Sequence, residues 1–416
     1  MSLFTGPAGK PNTDALDFAT LIAPMEVETF FSDYYDKKPV HIEGGADKFA
    51  ELMNWPVLTG LLNMTGIWSS QSLMLQLDRQ TLPPRAYCDP VTDRSGNSVM
   101  QPNAAKVMDL LQNGASLVAN DIDTLTRELS LTANCLEDTF DAKVQVNLYC
   151  SWKQRQAFNS HFDTHDVFAL HAEGEKVWRV YETRMPHPIR HARFENDAFQ
   201  EPQHEQQRGK LMMEVTMKPG DILYLPRGWY HDALASSGGS VHMAFGVVGL
   251  TGFDVVGALS DFAVNDELFR RNLPIASDGR DAMKAAIQAL GRKLADLAKD
   301  DALVDSVIAY QKSYRYPRMG IDLPVTPIEQ HYRVTAPGLR VERRGNQSAL
   351  MTPRGPIPIP PGRDGIVGWI VSRPAFDRSA YLDAHATLPV ADLDRVLMEL
   401  MNMGLLAQEG VGNKGP

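Results

Sequence analysis

The sequence has few cysteines, no long hydrophobic run and no excess of positive charge, and each absence excludes a class of protein. Its three cysteines form no Cys-x-x-Cys pair, so neither a disulfide scaffold nor a cysteine-ligated zinc site is expected. No stretch approaches the ~18 uninterrupted apolar residues of a membrane span. The formal net charge of -10 argues against general binding to a nucleic-acid backbone, which needs a basic face.

The first residues of the chain lack the signals of export. Residues 1–15 show no basic patch followed by an apolar run, so no signal peptide is expected. A reducing cytoplasm is therefore the predicted location. The acidic charge is compatible with a basic partner, such as a positively charged protein or peptide.

Length and pattern together predict several domains around a β-rich centre. At 416 residues the chain exceeds the size at which one hydrophobic core usually stops growing. Helical patterns occupy about 17–62 and 103–138, whereas from about 143 to 248 the apolar period becomes two, as in Val144–Tyr149. That period is typical of half-buried strands, and many short ones favour a sandwich or barrel. Further strands are predicted at His161–His171, Val177–Tyr181, Leu211–Met217, Asp221–Leu225 and Val241–Val248.

Helical patterns return after the β-rich region. Within 251–315, apolar residues from Met283 to Leu297 recur in steps of four and three, which gives a heptad-like seam. The seam can pack inside the chain or against a second copy, and the sequence leaves both open. The proline-rich segment 352–362 is interpreted as a stiff connector. Beyond it the pattern predicts a helix-rich tail of winged-helix form.

A His-x-Asp pair and a distant histidine carry the chemical prediction. His161 and Asp163 share one face of a predicted strand, because alternate side chains of a strand point the same way. His231 follows a second strand and a Pro-Arg-Gly turn, and it is the candidate third ligand. Two histidines and one carboxylate, with three coordination positions open, form the facial triad of non-haem iron oxygenases. A lone His-x-Asp pair is usually a surface pair, so the prediction depends on all three.

The other histidines of the region receive different interpretations. His165 lies on the same predicted strand face and could compete as a ligand, or it could support one. His171 and His242 are interpreted as hydrogen-bonded barrel residues, although His242 lies on a predicted strand that could reach the pocket. The polar stretch Arg184–Lys210 is interpreted as a long loop, either a functional lid or an insertion without fixed structure.

Three motifs resemble those of the JmjC/cupin-like ribosomal oxygenases, whose members hydroxylate residues of ribosomal proteins. They are VNLY, HFDTHDVFALHAEGEKVW and GDILYLPRGWYH, and they arrive in the family's order within about residues 20–250. The resemblance implies a JmjC double-stranded β-helix with helical N-terminal elements at 1–250. It also implies an α-helical dimerisation region at 251–330 and a winged-helix-like domain at 331–416.

The resemblance also assigns residues to the site. The family's iron ligands fall on the three residues of the candidate triad. Lys176 takes the place of the basic residue that holds the distal carboxylate of 2-oxoglutarate, and a buried dicarboxylate needs such a paired cation. Asn147 and Tyr149 match positions that line the pocket on its cosubstrate and substrate side. Buried structural roles are the alternative for both.

The implied activity is an Fe(II)- and 2-oxoglutarate-dependent hydroxylation that uses O₂. Its expected target is an arginine or histidine side chain of a protein, in the simplest case a ribosomal protein, and the expected assembly is a homodimer without strong nucleic-acid binding. Two alternatives stay open: the same chemistry on a small molecule or natural-product peptide, and a non-catalytic JmjC-like binding protein. A cupin isomerase or sugar binder is a weaker alternative, because such proteins usually gather more histidines around the metal.

Overall fold

The computed structural model describes most of the chain, in eight ranges: 16–78, 80–92, 96–152, 159–194, 201–235, 238–318, 330–345 and 347–409. Contacts between residues divide the chain into two compact units, Met1–Arg318 and Met319–Pro416. The helices between residues 251 and 312 thus belong to the first unit. A separate dimerisation region at 251–330 stays a prediction, and residues 319–329 of it lie outside the described residues.

The first unit combines many short strands with helices. Its strands are β1 (Val40–Ile42), β2 (Leu73–Leu77), β3 (Gln80–Thr81), β4 (Cys88–Thr92), β5 (Ser98–Pro102), β6 (Ser116–Ala119), β7 (Lys143–Ser151), β8 (Asp166–Glu173), β9 (Lys176–Arg184), β10 (Leu211–Met217), β11 (Ile222–Leu225), β12 (Trp229–Ala235) and β13 (Ser240–Val248). Its helices are α1 (Phe18–Ile22), α2 (Val27–Thr29), α3 (Trp55–Leu62), α4 (Ala104–Gln112), α5 (Arg127–Phe140), α6 (Glu201–Gln207), α7 (Gly252–Ala263), α8 (Glu267–Arg270), α9 (Arg280–Leu297) and α10 (Asp301–Lys312).

Two antiparallel sheets face each other in the β-rich region. The larger has the order β1-β11-β8-β13-β7-β6-β2-β3, and the smaller has the order β10-β9-β12. Val167 and Leu223 of the larger sheet share a buried cluster with Trp178 and Met217 of the smaller one. This is the cupin-like core of a JmjC fold, as predicted.

Alternate side chains of the larger sheet face the main hydrophobic core on one side and the cavity between the sheets on the other. On β7, Val144, Val146 and Leu148 are buried in the main hydrophobic core. Asn147 and Tyr149, on the opposite face of the strand, line a cavity between the sheets. One set of alternate residues therefore packs the sheet against the core, and the other set lines the cavity.

Most strand predictions are confirmed, but the most important one needs correction. The predicted strands at Leu211–Met217 and Val241–Val248 correspond to β10 and β13. The strand predicted at His161–His171 begins only at Asp166. The residues before Asp166 form a loop, in which His161 makes an isolated bridge to His231.

Two helical predictions also change. The helical region predicted at 103–138 is interrupted by β6, all four residues of which are buried in the larger sheet. The polar stretch Arg184–Lys210 is not wholly a loop, because α6 forms at Glu201–Gln207. The helix that carries the heptad-like seam is present as α9.

The second unit has its own core and a mixed structure. Its elements are β14 (His331–Val334), β15 (Arg340–Arg344), β16 (Gln347–Thr352), β17 (Gly355–Ile359), α11 (Asp364–Val371), β18 (Ala375–Asp377), α12 (Arg378–Ala384), α13 (Val390–Asn402) and β19 (Leu406–Glu409). From α11 to β19 the elements follow the order helix–strand–helix–helix–strand, and a winged-helix-like domain at 331–416 stays a prediction. The proline-rich segment is not a connector, because it forms the turn and strand of a β16–β17 hairpin.

Among the described residues, no helix combines the length and the apolar character needed to cross a bilayer.

Candidate metal and cosubstrate site

The three residues of the predicted triad meet at one point. One possible ligand atom from each of His161, Asp163 and His231 lies within 4.8 Å of the others. Nε2 of His231 is 3.5 Å from Oδ2 of Asp163, and the two imidazole centroids are 4.5 Å apart. This donor set and spacing fit one divalent cation. Among the described residues, His165 is not part of this group.

Backbone hydrogen bonds hold the two segments of the triad together. The amide of His161 donates to the carbonyl of His231 (3.0 Å), and the amide of His231 donates back (2.8 Å). The amide of Gly228 donates to the carbonyl of Asp163 (2.9 Å). The sequence predicts that His161 and Asp163 lie on one strand. The structure instead brings them together through a loop tied to β12.

Hydrogen bonding fixes which imidazole nitrogen faces the other ligands. Nδ1 of His161 lies 2.8 Å from the carbonyl of Asn159, and Nδ1 of His231 lies 2.9 Å from the carbonyl of Trp229. Because a carbonyl only accepts, each Nδ1 carries the proton, and the lone pair of the neutral imidazole is then on Nε2. In this tautomer both histidines can bind a metal through Nε2.

Burial and neighbouring charges favour the ligand forms of these groups. Burial lowers the pKa of His231 to about 4, which keeps the imidazole neutral. Burial alone would raise the pKa of Asp163, but the neighbouring histidines, His165 first, hold it below its usual value. Asp163 is therefore an anion at neutral pH.

A cavity of about 200 Å³ adjoins the triad and contains a buried cation. Lys176 is 4% exposed and lines this cavity together with Asn147, Tyr149, Trp178 and His242. No carboxylate of the described residues pairs with its ammonium group, and burial lowers the pKa of Lys176 to about 8. A buried cation without a counter-ion is costly, so the cavity is suited to an anionic ligand.

Two cavity residues were missed or misjudged from the sequence. His242 stacks on Tyr149 with ring centroids 4.9 Å apart. It is not fully hydrogen-bonded as expected, because its buried Nδ1 has no partner among the described residues. Trp178 packs its ring against His231. The only sequence signal for either was an inward position on a strand.

A wider groove of about 850 Å³ reaches the triad from outside the barrel. His165 lines both this groove and the inner cavity. Aromatic side chains form much of the outer wall: Tyr35, Phe140, Phe253, Tyr314 and Tyr316. A partly aromatic groove of this volume can accept a polypeptide segment.

The facing sheets and the His–Asp–His group at their mouth define a cupin-like fold of the JmjC type. The family described as "JmjC domain" matches residues 121–253. Ribosomal oxygenase 1 of Danio rerio is 26% identical over 318 residues, which is 69% of this chain and 54% of that protein. Ribosomal oxygenase 2 of Rattus norvegicus is 26% identical over 265 residues, covering 62% of this chain and 54% of that protein.

One further relative and one solved structure are also similar to this chain. The bifunctional lysine-specific demethylase and histidyl-hydroxylase NO66 of Drosophila persimilis is 26% identical over 231 residues, covering 52% of this chain and 29% of that protein. This chain thus spans about half or less of the length of these curated relatives. The X-ray structure of ycfD from E. coli shares 17% identity with a TM-score of 0.49, over 92% of this chain and 98% of that chain. Residues 121–253 therefore match the JmjC domain family, and the chain is similar in sequence to the ribosomal oxygenases.

Proposed function

We propose that the chain is an Fe(II)- and 2-oxoglutarate-dependent oxygenase that hydroxylates a side chain of a protein substrate. The observation that carries the proposal is the buried, unpaired Lys176 in the same cavity as the triad. A metal site alone fits many proteins. A metal site beside a buried cation fits a ligand that is both a chelator and an anion, as 2-oxoglutarate is.

Each residue has a defined part in this proposal. His161 and His231 hold the metal through Nε2, and Asp163 supplies the one anionic ligand. Lys176 pairs with the distal carboxylate of the cosubstrate, and Trp178 and the facing sheets exclude water. When bound, iron with 2-oxoglutarate and O₂ supplies the oxidant, and the products are succinate, CO₂ and the hydroxylated side chain.

A protein substrate is supported by the outer groove and by the relatives. The groove leads from solvent to Asp163 and His165, and its aromatic wall can contact a peptide. The relatives are named as ribosomal oxygenases and, in one case, as a histidyl-hydroxylase. We therefore propose a ribosomal protein as substrate, with an arginine or histidine as target, and the net charge of -10 favours a basic partner.

The proposal extends to assembly and location. The helices after the barrel expose large apolar side chains, including Val256 of α7 (59%), Ile287 of α9 (58%) and Ile308 of α10 (45%). We propose that this surface packs against a second copy. The three cysteines are buried and unpaired, which supports a cytoplasmic protein.

The test is succinate formation from 2-oxoglutarate with Fe(II), screened against a panel of ribosomal-protein peptides. We expect succinate together with a +16 Da shift on a peptide. Succinate without any modified peptide favours the small-molecule or natural-product alternative. Bound metal without any turnover favours a non-catalytic binding protein and contradicts the proposal.

A further inference from the structure

The residues next to the triad form a second layer behind it. Ser160 and Phe162 flank His161, whereas Tyr230 and Asp232 flank His231. All four flanking residues are at most 2% exposed. Because alternate side chains of an extended chain point to opposite sides, this layer lies on the face away from the ligand atoms.

A buried carboxylate joins the two segments within this layer. Oδ2 of Asp232 accepts hydrogen bonds from Oγ of Ser160 (2.6 Å) and from the hydroxyl of Tyr181 (2.6 Å). The Ser160 bond spans 72 residues of sequence and ties the residue before His161 to the residue after His231. It therefore reinforces the backbone bridge between the two histidines from behind.

Arg208 completes the network. Its Nη1 donates to Oγ of Ser160 (2.6 Å) and to the hydroxyl of Tyr181 (3.1 Å), and it lies 3.8 Å from Oδ2 of Asp232. The guanidinium also stacks over the Tyr181 ring, 4.5 Å from its centroid. Arg208 thus places a positive charge beside the buried carboxylate of Asp232, while its Nη2 pairs with Glu205 (2.7 Å).

The insertion between β9 and β10 supplies this arginine. Arg208 directly follows α6, and α6 makes further contacts with the same layer. Nδ1 of His204 is 3.1 Å from the hydroxyl of Tyr230, which donates to Oε1 of Gln207 (3.1 Å). Tyr230 in turn packs its ring against Phe162. The insertion therefore contacts both segments that carry the triad.

We propose that Asp232 and Arg208 are positioning residues of the metal site, and that the α6 insertion supports that site. They hold His161 and His231 in the orientation that directs both Nε2 atoms to one point, without touching the metal. This inference rests on the metal site of the proposed function. Groups that orient metal ligands typically contribute a factor of about 10–100 to metal affinity.

The test measures the dissociation constant for Co(II) and its visible absorption spectrum in the purified full chain. The variants are Asp232→Asn and Arg208→Gln. Asp221→Asn is the matched control. Asp221 is also a buried carboxylate of the barrel, but it accepts from the amides of Gly44 (3.1 Å) and Lys218 (2.9 Å) and pairs with His41, outside the triad layer.

We expect Asp232→Asn and Arg208→Gln to weaken Co(II) binding by about 10–100-fold and to change the absorption spectrum, whereas Asp221→Asn keeps wild-type affinity. A purely structural role predicts lower thermal stability with wild-type affinity in the folded fraction, and that result overturns the inference. If Asp232→Asn does not fold, the Co(II) affinity of Arg208→Gln decides the question, because Arg208 is partly exposed and its substitution is milder for folding. A wild-type chain that binds no Co(II) contradicts the proposed function itself, which separates the two failures.

Discussion

At the scale of single residues, the site depends on one anionic ligand. Asp163 is the only carboxylate in the group of three, so Asp163→Ala leaves two neutral imidazoles. We expect this variant to lose iron-dependent succinate formation, because neutral ligands alone hold Fe(II) weakly at an open site. Succinate release from 2-oxoglutarate checks this, with Asp221→Asn as the control, and full turnover by Asp163→Ala contradicts the assignment.

Lys176 gives a prediction about cosubstrate binding. Lys176→Met keeps an unbranched side chain that is shorter by one atom, but it removes the positive charge that we propose pairs with the distal carboxylate. We expect 2-oxoglutarate to bind the Mn(II)-loaded variant about 10–100-fold more weakly, as for loss of a hydrogen bond to a charged group of ~1.5–3 kcal/mol. Calorimetric titration measures this, with the exposed Lys218→Met as control. If wild type and Lys176→Met bound 2-oxoglutarate with equal affinity, Lys176 would have no part in binding the cosubstrate.

The same lysine predicts a pH dependence of stability. Burial lowers the pKa of Lys176 to about 8, whereas an unfolded lysine titrates near ~10.4. The folded protein therefore binds fewer protons than the unfolded one between these values, and its stability gains as pH rises from about 8 to ~10.4. We expect wild type to gain more stability than Lys176→Met over this range in denaturant unfolding without 2-oxoglutarate. If the free energy of unfolding depended on pH in the same way in both proteins, Lys176 would not be a buried cation without a counter-ion.

At the scale of elements, β13 packs closely against the loop before β8, where Gly246 lies next to the ring of His165. A Cβ at Gly246 would lie 2.5 Å from Cδ2 of His165, so Gly246→Ala must displace that ring. We expect Gly246→Ala to lower the free energy of unfolding, and to lower it less in a protein that already carries His165→Ala. The difference between the two effects is the coupling energy, which we expect to be about 0.5–3 kcal/mol. Denaturant unfolding of the four proteins measures it, and additive effects would exclude the contact.

The sequence predicts some elements well and others poorly, for physical reasons. The period of two is clear on β7 and β13 because one face enters the main core and the other faces the cavity. All four residues of β6 are buried, so this strand shows no period of two. Its sequence is therefore predicted as part of the helical region at 103–138. The prolines of β17 alternate along the strand, and composition alone could not distinguish this hairpin from a connector.

The site shows the same division. The grouping of His161, Asp163 and His231 was predictable because the residue types and motif order limit the chemistry. Their geometry was not, since a backbone bridge between distant segments replaces the assumed strand. The Asp232–Arg208 network was also invisible, because its partners lie far apart in sequence and α6 occupies a stretch that reads as polar loop.

At the scale of the whole molecule, the helical region predicts self-association. No side chain of the fully described helix α9 is buried, although its seam is apolar. We expect the wild-type chain to be a dimer and Ile287→Glu to shift it to monomer, because a charge at an apolar interface is costly. Light scattering after size exclusion measures this, with Lys284→Glu on the same helix as control. A monomeric wild-type chain would contradict the proposal.

The central claim concerns one metal and one cosubstrate in one cavity. The most direct measurement is a crystal structure of the Mn(II)-loaded chain with 2-oxoglutarate, with the metal located by anomalous scattering. We predict one metal peak ~2.0–2.2 Å from Nε2 of both histidines and from an oxygen of Asp163, and the distal carboxylate at Lys176. A metal bound elsewhere, or 2-oxoglutarate bound away from Lys176, would contradict the account.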